Sequence, residues 1–209
     1  VRLTPGIEAH THEFIATAHE DVKFGFSIAS GAAWKAVEMC EAATAIKLIG
    51  IHAHIGSQIF SPEGFEASAA RLLAFLGEFR NHFNRELPEL DIGGGYGIAY
   101  MPDEVAVDPD EILAKIARAI SHHVQELGIS HPRISIEPGR AIVGPTTTTL
   151  YTVGTTKVVH LDNGAQRNYV SVDGGMSDNI RPALYGANYT TLLANRGSTS
   201  TLVNSRVVG

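Results

Sequence analysis

The chain has a single cysteine, Cys40, among 209 residues, so no disulfide can form within it and no covalent framework holds it together. Cys40 lies in the helix-like stretch AVEMCEAA and reads as a small helix residue. Positive charge is also in deficit: 16 basic against 22 acidic residues give a net charge of -6, which excludes a basic stripe for nucleic acid or an anionic membrane. No apolar run approaches the roughly 20 residues a membrane helix needs, and no charged-then-apolar leader opens the sequence. A cytoplasmic protein is the expectation, with small molecules or other protein chains as partners. Internal repeats and low-complexity linkers are missing too. What is plentiful is apolar residue, 44% of the chain, enough to bury a sizeable core.

Short apolar, β-rich runs alternate with longer amphipathic segments from Val1 to about Arg140, the pattern of parallel strands joined by crossover helices. The expected strands are Arg2-Leu3-Thr4, Phe24 to Ser27, Leu48 to Ile55, Leu90 to Ile92 and Arg133 to Glu137. Ser30 is the expected N-cap of a helix through Ala43; Pro62 opens one to Phe83; Asp108-Pro109 opens one to Leu127 with Gly128 as its stop. After Gly144-Pro145 β-branched residues dominate, as in TTTTLYTVGTTKVVHLD. The expected class is therefore α/β: a partial (β/α) TIM-like barrel over 1–143, then the start of a mostly antiparallel β domain over 144–209. The chain opens on Val1 in the strand-like VRLTPG and stops after TLVNSRVVG, and both ends are expected to be arbitrary with respect to the fold.

Three turns rich in small residues follow expected strands, which in a barrel is the face that carries the active site. In Asp91-Ile92-Gly93-Gly94-Gly95-Tyr96-Gly97, consecutive glycines let backbone N–H groups close on phosphate oxygens. In Ser135-Ile136-Glu137-Pro138-Gly139-Arg140, the arginine adds charge nearby. In Ile51-His52-Ala53-His54-Ile55-Gly56-Ser57-Gln58, alternation puts both histidines on one face. These histidines admit three readings: metal ligands, if further strand-end ligands exist; a flat partner for an aromatic cofactor; or hydrogen-bonded core residues. His10, His12 and Glu13 read as loop-ordering residues, and His122 and His123 as a favourable helix C-terminus.

Taken together, HAHIGSQ, LDIGGGYG, SIEPGRA and SVDGGMSDNIRPALYGA resemble, in order and wording, the diaminopimelate decarboxylases, alanine-racemase-like (fold-type III) pyridoxal-phosphate enzymes. EAHTHEFIATAHED with KFG, and SDNIRPALYGA, are similar to that branch in particular. The resemblance implies pyridoxal 5'-phosphate as cofactor and no metal. It implies that His54 stacks on the pyridoxal ring and that Ser57, Gly95, Pro138, Gly139 and Arg140 serve its phosphate. It further implies that Glu137 pairs with the pyridine nitrogen, and that Arg140, Arg181 and Tyr185 hold the substrate's non-reacting end. The implied partners are an amino-acid substrate and a second copy of the chain, in a homodimer with shared active sites.

The chemistry asks for such residue types. Decarboxylation of an amino acid leaves an electron pair on Cα that the cofactor ring accepts, and a carboxylate against the ring nitrogen favours its protonated form. A second amino-acid group at the far end of meso-diaminopimelate calls for an arginine fork. A diamine-producing relative, acting on ornithine, arginine or carboxynorspermidine, would want an acidic residue there instead.

Among Lys23, Lys35, Lys47, Lys115 and Lys157, none matches the family's cofactor-bonding lysine. The resemblance implies that this lysine lies upstream and that the family's Cys-Glu-Ser-Gly-Asp stretch and a further cofactor-contacting tyrosine lie downstream. The 209 residues alone are thus expected to be inactive. A metal-dependent barrel hydrolase and a non-enzymatic cofactor-binding module are the remaining readings.

Overall fold

A computed structural model of the chain describes residues 1–7, 23–201 and 203–209. The expectation for His10, His12 and Glu13 falls outside the described residues, as does the whole EAHTHEFIATAHED stretch. The chain divides into two units, Val1–Ala99 with Val105–Thr146, and Tyr100–Glu104 with Thr147–Gly209.

In the first unit β1 (Leu3–Thr4) pairs in parallel with β2 (Phe26–Ser27), and β3 (Gly50–His52), β4 (Glu89–Asp91) and β5 (Arg133–Ser135) form a parallel three-stranded sheet. A parallel bridge between Arg2 and His52 joins the two sheets, giving the order β2-β1-β3-β4-β5. The strands are shorter than the apolar runs that announce them. Leu48, Ala53 and Ile55 are buried but flank the ladder, because residues entering turns also fill the core.

The helices α1 (Ala32–Ala42), α2 (Glu63–Phe83) and α3 (Pro109–Leu127) cover this sheet. Helix α3 buries Ile112, Ile116, Ile120 and Val124, every fourth residue, and packs against α2, which buries Phe65, Leu72, Leu73, Phe75, Leu76 and Phe79. Each such side chain contributes about 2 kcal/mol of transfer free energy. Asp108 caps α3, its carboxylate accepting from the Asp110 and Glu111 N–H groups, and Gly128 closes it in the left-handed region. For α1 the expected Ser30 cap is corrected. Gly31 occupies the N-cap position with φ 77°, and no side chain caps the helix; the Ser30 hydroxyl reaches only the Ala32 N–H at 3.4 Å. After β5 the chain forms a short helix α4 (Gly139–Val143) and a 3-10 turn, Gly144–Thr146.

The second unit holds β6 (Val153–His160) and β7 (Gln166–Val172), an antiparallel pair with an irregularity between Val153 and Thr156. Strand β8 (Ser205–Val208) pairs in parallel with β7, a direction that residue texture does not encode. Helix α5 (Arg181–Tyr185) precedes β8 in the chain.

Candidate functional site

Parallel pairing decides which strand ends meet. His52, Asp91 and Ser135 stand in one row across β3, β4 and β5, and single backbone bonds tie the turns just past them: Ala53 N–H donates to Asp91 O, and Glu137 N–H to Gly93 O. The three sequence turns therefore leave the sheet at the same end, side by side.

Gly94 lies between the other two turns. Its N–H donates to Nδ1 of His54 at 3.2 Å, and a Cβ on it would sit 2.1 Å from the carbonyl oxygen of Glu137. Only glycine permits that approach. Burial, with the Arg2 guanidinium nearby, holds the His54 imidazole below its usual pKa, which agrees with an Nδ1 that accepts. Gly95, at φ 104°, packs so closely that a Cβ would meet Gly56 O at 2.2 Å. Gly93 N–H donates to Asp91 Oδ1 at 2.8 Å, so Gly95 alone of the three glycines has an N–H without a hydrogen-bond partner among the described residues.

A residue outside the expected set organises these loops. Gln58, in the left-handed region at φ 57°, donates from Nε2 to Ile98 O and accepts at Oε1 from Ile98 N–H, both at 3.0 Å. With the Ile59–Tyr96 bridge it fastens the turn after β3 to the turn after β4. The signal was the amide itself, directly after Gly56-Ser57, but its partner lies 40 residues away. Tyr96 is stacked on Phe65 with ring centroids 4.8 Å apart, and burial pushes its hydroxyl up to about 12.

On the β5 side, Glu137 is half-exposed, and its Oε2 lies 3.2 Å from Nε2 of His52. Ligating atoms of His52, Asp91 and Glu137 fall within 4.8 Å of one another, so strand-end carboxylates do accompany His52; His54 instead bonds the glycine turn. Gly139 has open space where a Cβ would be, but its N–H already donates to Glu137 O. Arg140, on α4, is half-buried, and its Nη1 is fully enclosed without a hydrogen-bond partner among the described residues. Ser57 is half-buried beside Gly56, and Pro138 occupies the N-cap position of α4.

Arg181 and Tyr185 lie in the second unit. The Arg181 guanidinium stands over the rings of Tyr185, at 5.2 Å, and Tyr100, at 5.9 Å, and its Nε donates to the Tyr189 hydroxyl at 2.9 Å. Tyr100 and Tyr189, themselves in edge contact, were not among the expected site residues. A shallow surface depression of about 450 Å³, lined by Trp34, Glu38, Glu78, Asn81 and His82, holds none of the expected residues.

The pyridoxal-binding domain of the pyridoxal-dependent decarboxylases matches residues 1–144, more than two thirds of the chain. The chain belongs to that family. It is similar to diaminopimelate decarboxylase of Corynebacterium efficiens, at 50% identity over 209 residues covering 100% of this chain and 46% of that protein. It is 51% identical to diaminopimelate decarboxylase of Mycobacterium tuberculosis over 213 residues, covering 100% of this chain and 48% of that protein. The crystal structure of diaminopimelate decarboxylase from Helicobacter pylori complexed with L-lysine superposes with a TM-score of 0.78 at 27% identity, over 100% of this chain and 48% of that one. The chain thus spans about half the length of the curated relatives it matches. The fold is that of the pyridoxal-dependent decarboxylases, a TIM-like barrel portion followed by a strand-rich part.

The residues present fit a pyridoxal phosphate of this decarboxylase family. An enclosed guanidinium nitrogen on Arg140 and an unpartnered N–H on Gly95 are what an anion satisfies. The half-exposed carboxylate of Glu137 and the imidazole of His54, whose Nδ1 accepts the Gly94 N–H, suit the two requirements of a pyridine ring: a charge for its nitrogen and a flat face.

Proposed function

We propose that the full-length protein is a pyridoxal-phosphate-dependent carboxy-lyase that converts meso-diaminopimelate to L-lysine and carbon dioxide, a step of lysine biosynthesis. The observation that supports this reading is the Gly94 turn, which donates its N–H to the His54 ring and lies against the backbone of Glu137, whose carboxylate reaches His52 at the same strand ends. Relatives of that name at about 50% identity, and the L-lysine complex of the Helicobacter pylori enzyme, support the substrate.

Pyridoxal phosphate, when bound, supplies the sink for the electron pair that carbon dioxide leaves on the substrate's α-carbon. The chain's own part is to bind and orient. His54 offers its ring face. Ser57, Gly95, Pro138, Gly139 and Arg140 form the phosphate end, with Gly95 N–H and Arg140 Nη1 as the donors that have no partner in the chain as described. For Gly139 the contribution is room rather than an N–H, since that donor is engaged by Glu137 O. Glu137 holds a proton at the ring nitrogen by opposite charge. Arg181 and Tyr185 take the substrate's distal carboxylate and amine end; Tyr189 and two ring faces restrain the guanidinium, so that less side-chain freedom is lost on binding. Arg140 also serves the substrate in this reading. Residues 1–143 belong to the cofactor barrel and 144–209 to a β domain, in a cytoplasmic homodimer.

The test compares turnover of meso-diaminopimelate and ornithine by the full-length protein, with carbon dioxide and the amine product both measured. Release of L-lysine from meso-diaminopimelate is expected. Preference for ornithine would assign the same cofactor site to a different decarboxylase.

A further inference from the structure

The contact between His52 and Glu137 has no role in the reading above, which it presupposes. Strand β3 and strand β5 are not neighbours; β4 lies between them. Yet Nε2 of His52 and Oε2 of Glu137 are 3.2 Å apart, joining positions 85 residues apart in sequence. The His52 side chain is 23% exposed and the Glu137 side chain 51%, so the carboxylate stands in the open end of the site and the imidazole beneath it is the better anchored of the two. An ionised carboxylate can only accept, so Nε2–H of His52 is the donor. Glu137 has two oxygens, and only Oε2 is engaged within the chain among the described residues. A carboxylate tethered by one oxygen keeps one rotamer and presents the other oxygen in a defined direction, whereas a half-exposed Glu otherwise samples several.

We infer that His52 is a positioning residue for Glu137, holding Oε2 so that Oε1 is aimed for the pyridine nitrogen. Its place in the row His52–Asp91–Ser135 supports this, because the parallel ladder fixes the imidazole's height relative to the turn that carries Glu137. Glu137's own backbone is held by Gly93 O, so two independent hydrogen bonds, one through the main chain and one through the side chain, set the carboxylate in place. His52 acts through Glu137 and touches neither substrate nor cofactor in this assignment.

The experiment uses the full-length protein freed of cofactor, titrated with pyridoxal phosphate and with its carbocyclic analogue, in which C–H replaces the ring nitrogen. Binding is read from coenzyme absorbance, independently of turnover. Two variants remove the donor, His52→Phe and His52→Leu, and His52→Gln retains one. Loss of the donor is expected to weaken pyridoxal phosphate binding about tenfold, as one charge-assisted hydrogen bond implies, and to change affinity for the analogue less than about twofold. His52→Gln is expected to restore most of the preference for pyridoxal phosphate over the analogue. Equal weakening of both ligands would make His52 a packing residue only, and no weakening of either would make the contact idle; each overturns the inference. Failure of the unsubstituted protein to bind pyridoxal phosphate would instead overturn the cofactor reading, and the inference with it.

Discussion

His54 accepts, at Nδ1, the N–H of Gly94 across 3.2 Å, and so ties the turn after β3 to the glycine turn after β4. A nitrogen that accepts carries no proton, so the imidazole is neutral with its proton on Nε2. Its pKa is lowered from 6.5 by burial first and by Arg2 second. A histidine whose folded pKa is depressed adds stability that is present above the unfolded value and is lost as pH falls from there through the folded one. The full-length protein should thus lose stability from about pH 6.5 downward more steeply than a His54→Gln variant, the difference between their slopes being at most about 1.4 kcal/mol per pH unit. Denaturant unfolding of both proteins between pH 5 and 8 measures it. A variant that falls as steeply as the parent would remove His54 as the source.

Gly95 and Gly139 make a matched pair for substitution. At Gly95 the left-handed φ and the 2.2 Å approach to Gly56 O leave no room for a methyl group. At Gly139 nothing lies within 4 Å of the added carbon. Gly95→Ala should cost about 2 kcal/mol or more of stability and at least about tenfold in pyridoxal phosphate affinity, whereas Gly139→Ala should stay within about 0.5 kcal/mol of the parent. Calorimetric unfolding with a cofactor titration on each protein distinguishes the two.

Gln58 bonds both backbone groups of Ile98 with one amide. Gln58→Leu keeps the bulk and leaves a backbone donor and acceptor without that partner. A loss of about 2 kcal/mol is expected. Gln58→Gly should cost less than Gln58→Leu, because it relieves the left-handed strain at φ 57°. The order of the two variants in denaturant midpoint is the measurement.

The cap of α3 is a prediction about folding alone. Asp108→Ala removes the acceptor for the Asp110 and Glu111 N–H groups. It should lower stability by about 1 kcal/mol without moving cofactor affinity.

Much of this structure was legible in the residue order. The limits of α2 and α3 follow from Pro62, from Asp108-Pro109 and from Gly128, since caps act through backbone groups one to three residues away. The cap of α1 was not legible because Ser30 offers a competent hydroxyl, while the backbone turns at Gly31. Strand ends were read too long at Leu48–Ile55 and Arg133–Glu137, since an apolar run marks burial and not pairing.

For the site, the motifs point to the strand ends because Gly93-Gly94-Gly95 and Glu137 to Arg140 each follow a β-rich run. Period-two alternation put His52 and His54 on one side but could not assign their partners, one to Glu137 and the other to Gly94. Nor could spacing reveal Gln58 at Ile98, or Tyr100 and Tyr189 around Arg181. Local chemistry along the chain, through period, caps and glycine, determined which segments become helices and strands and which turns can approach a phosphate. The pairing of β3, β4 and β5 in register decided which side chains from distant segments stand within hydrogen-bond distance, because hydrogen bonds fall off over a distance shorter than the spacing between strands, and only the completed ladder sets that distance.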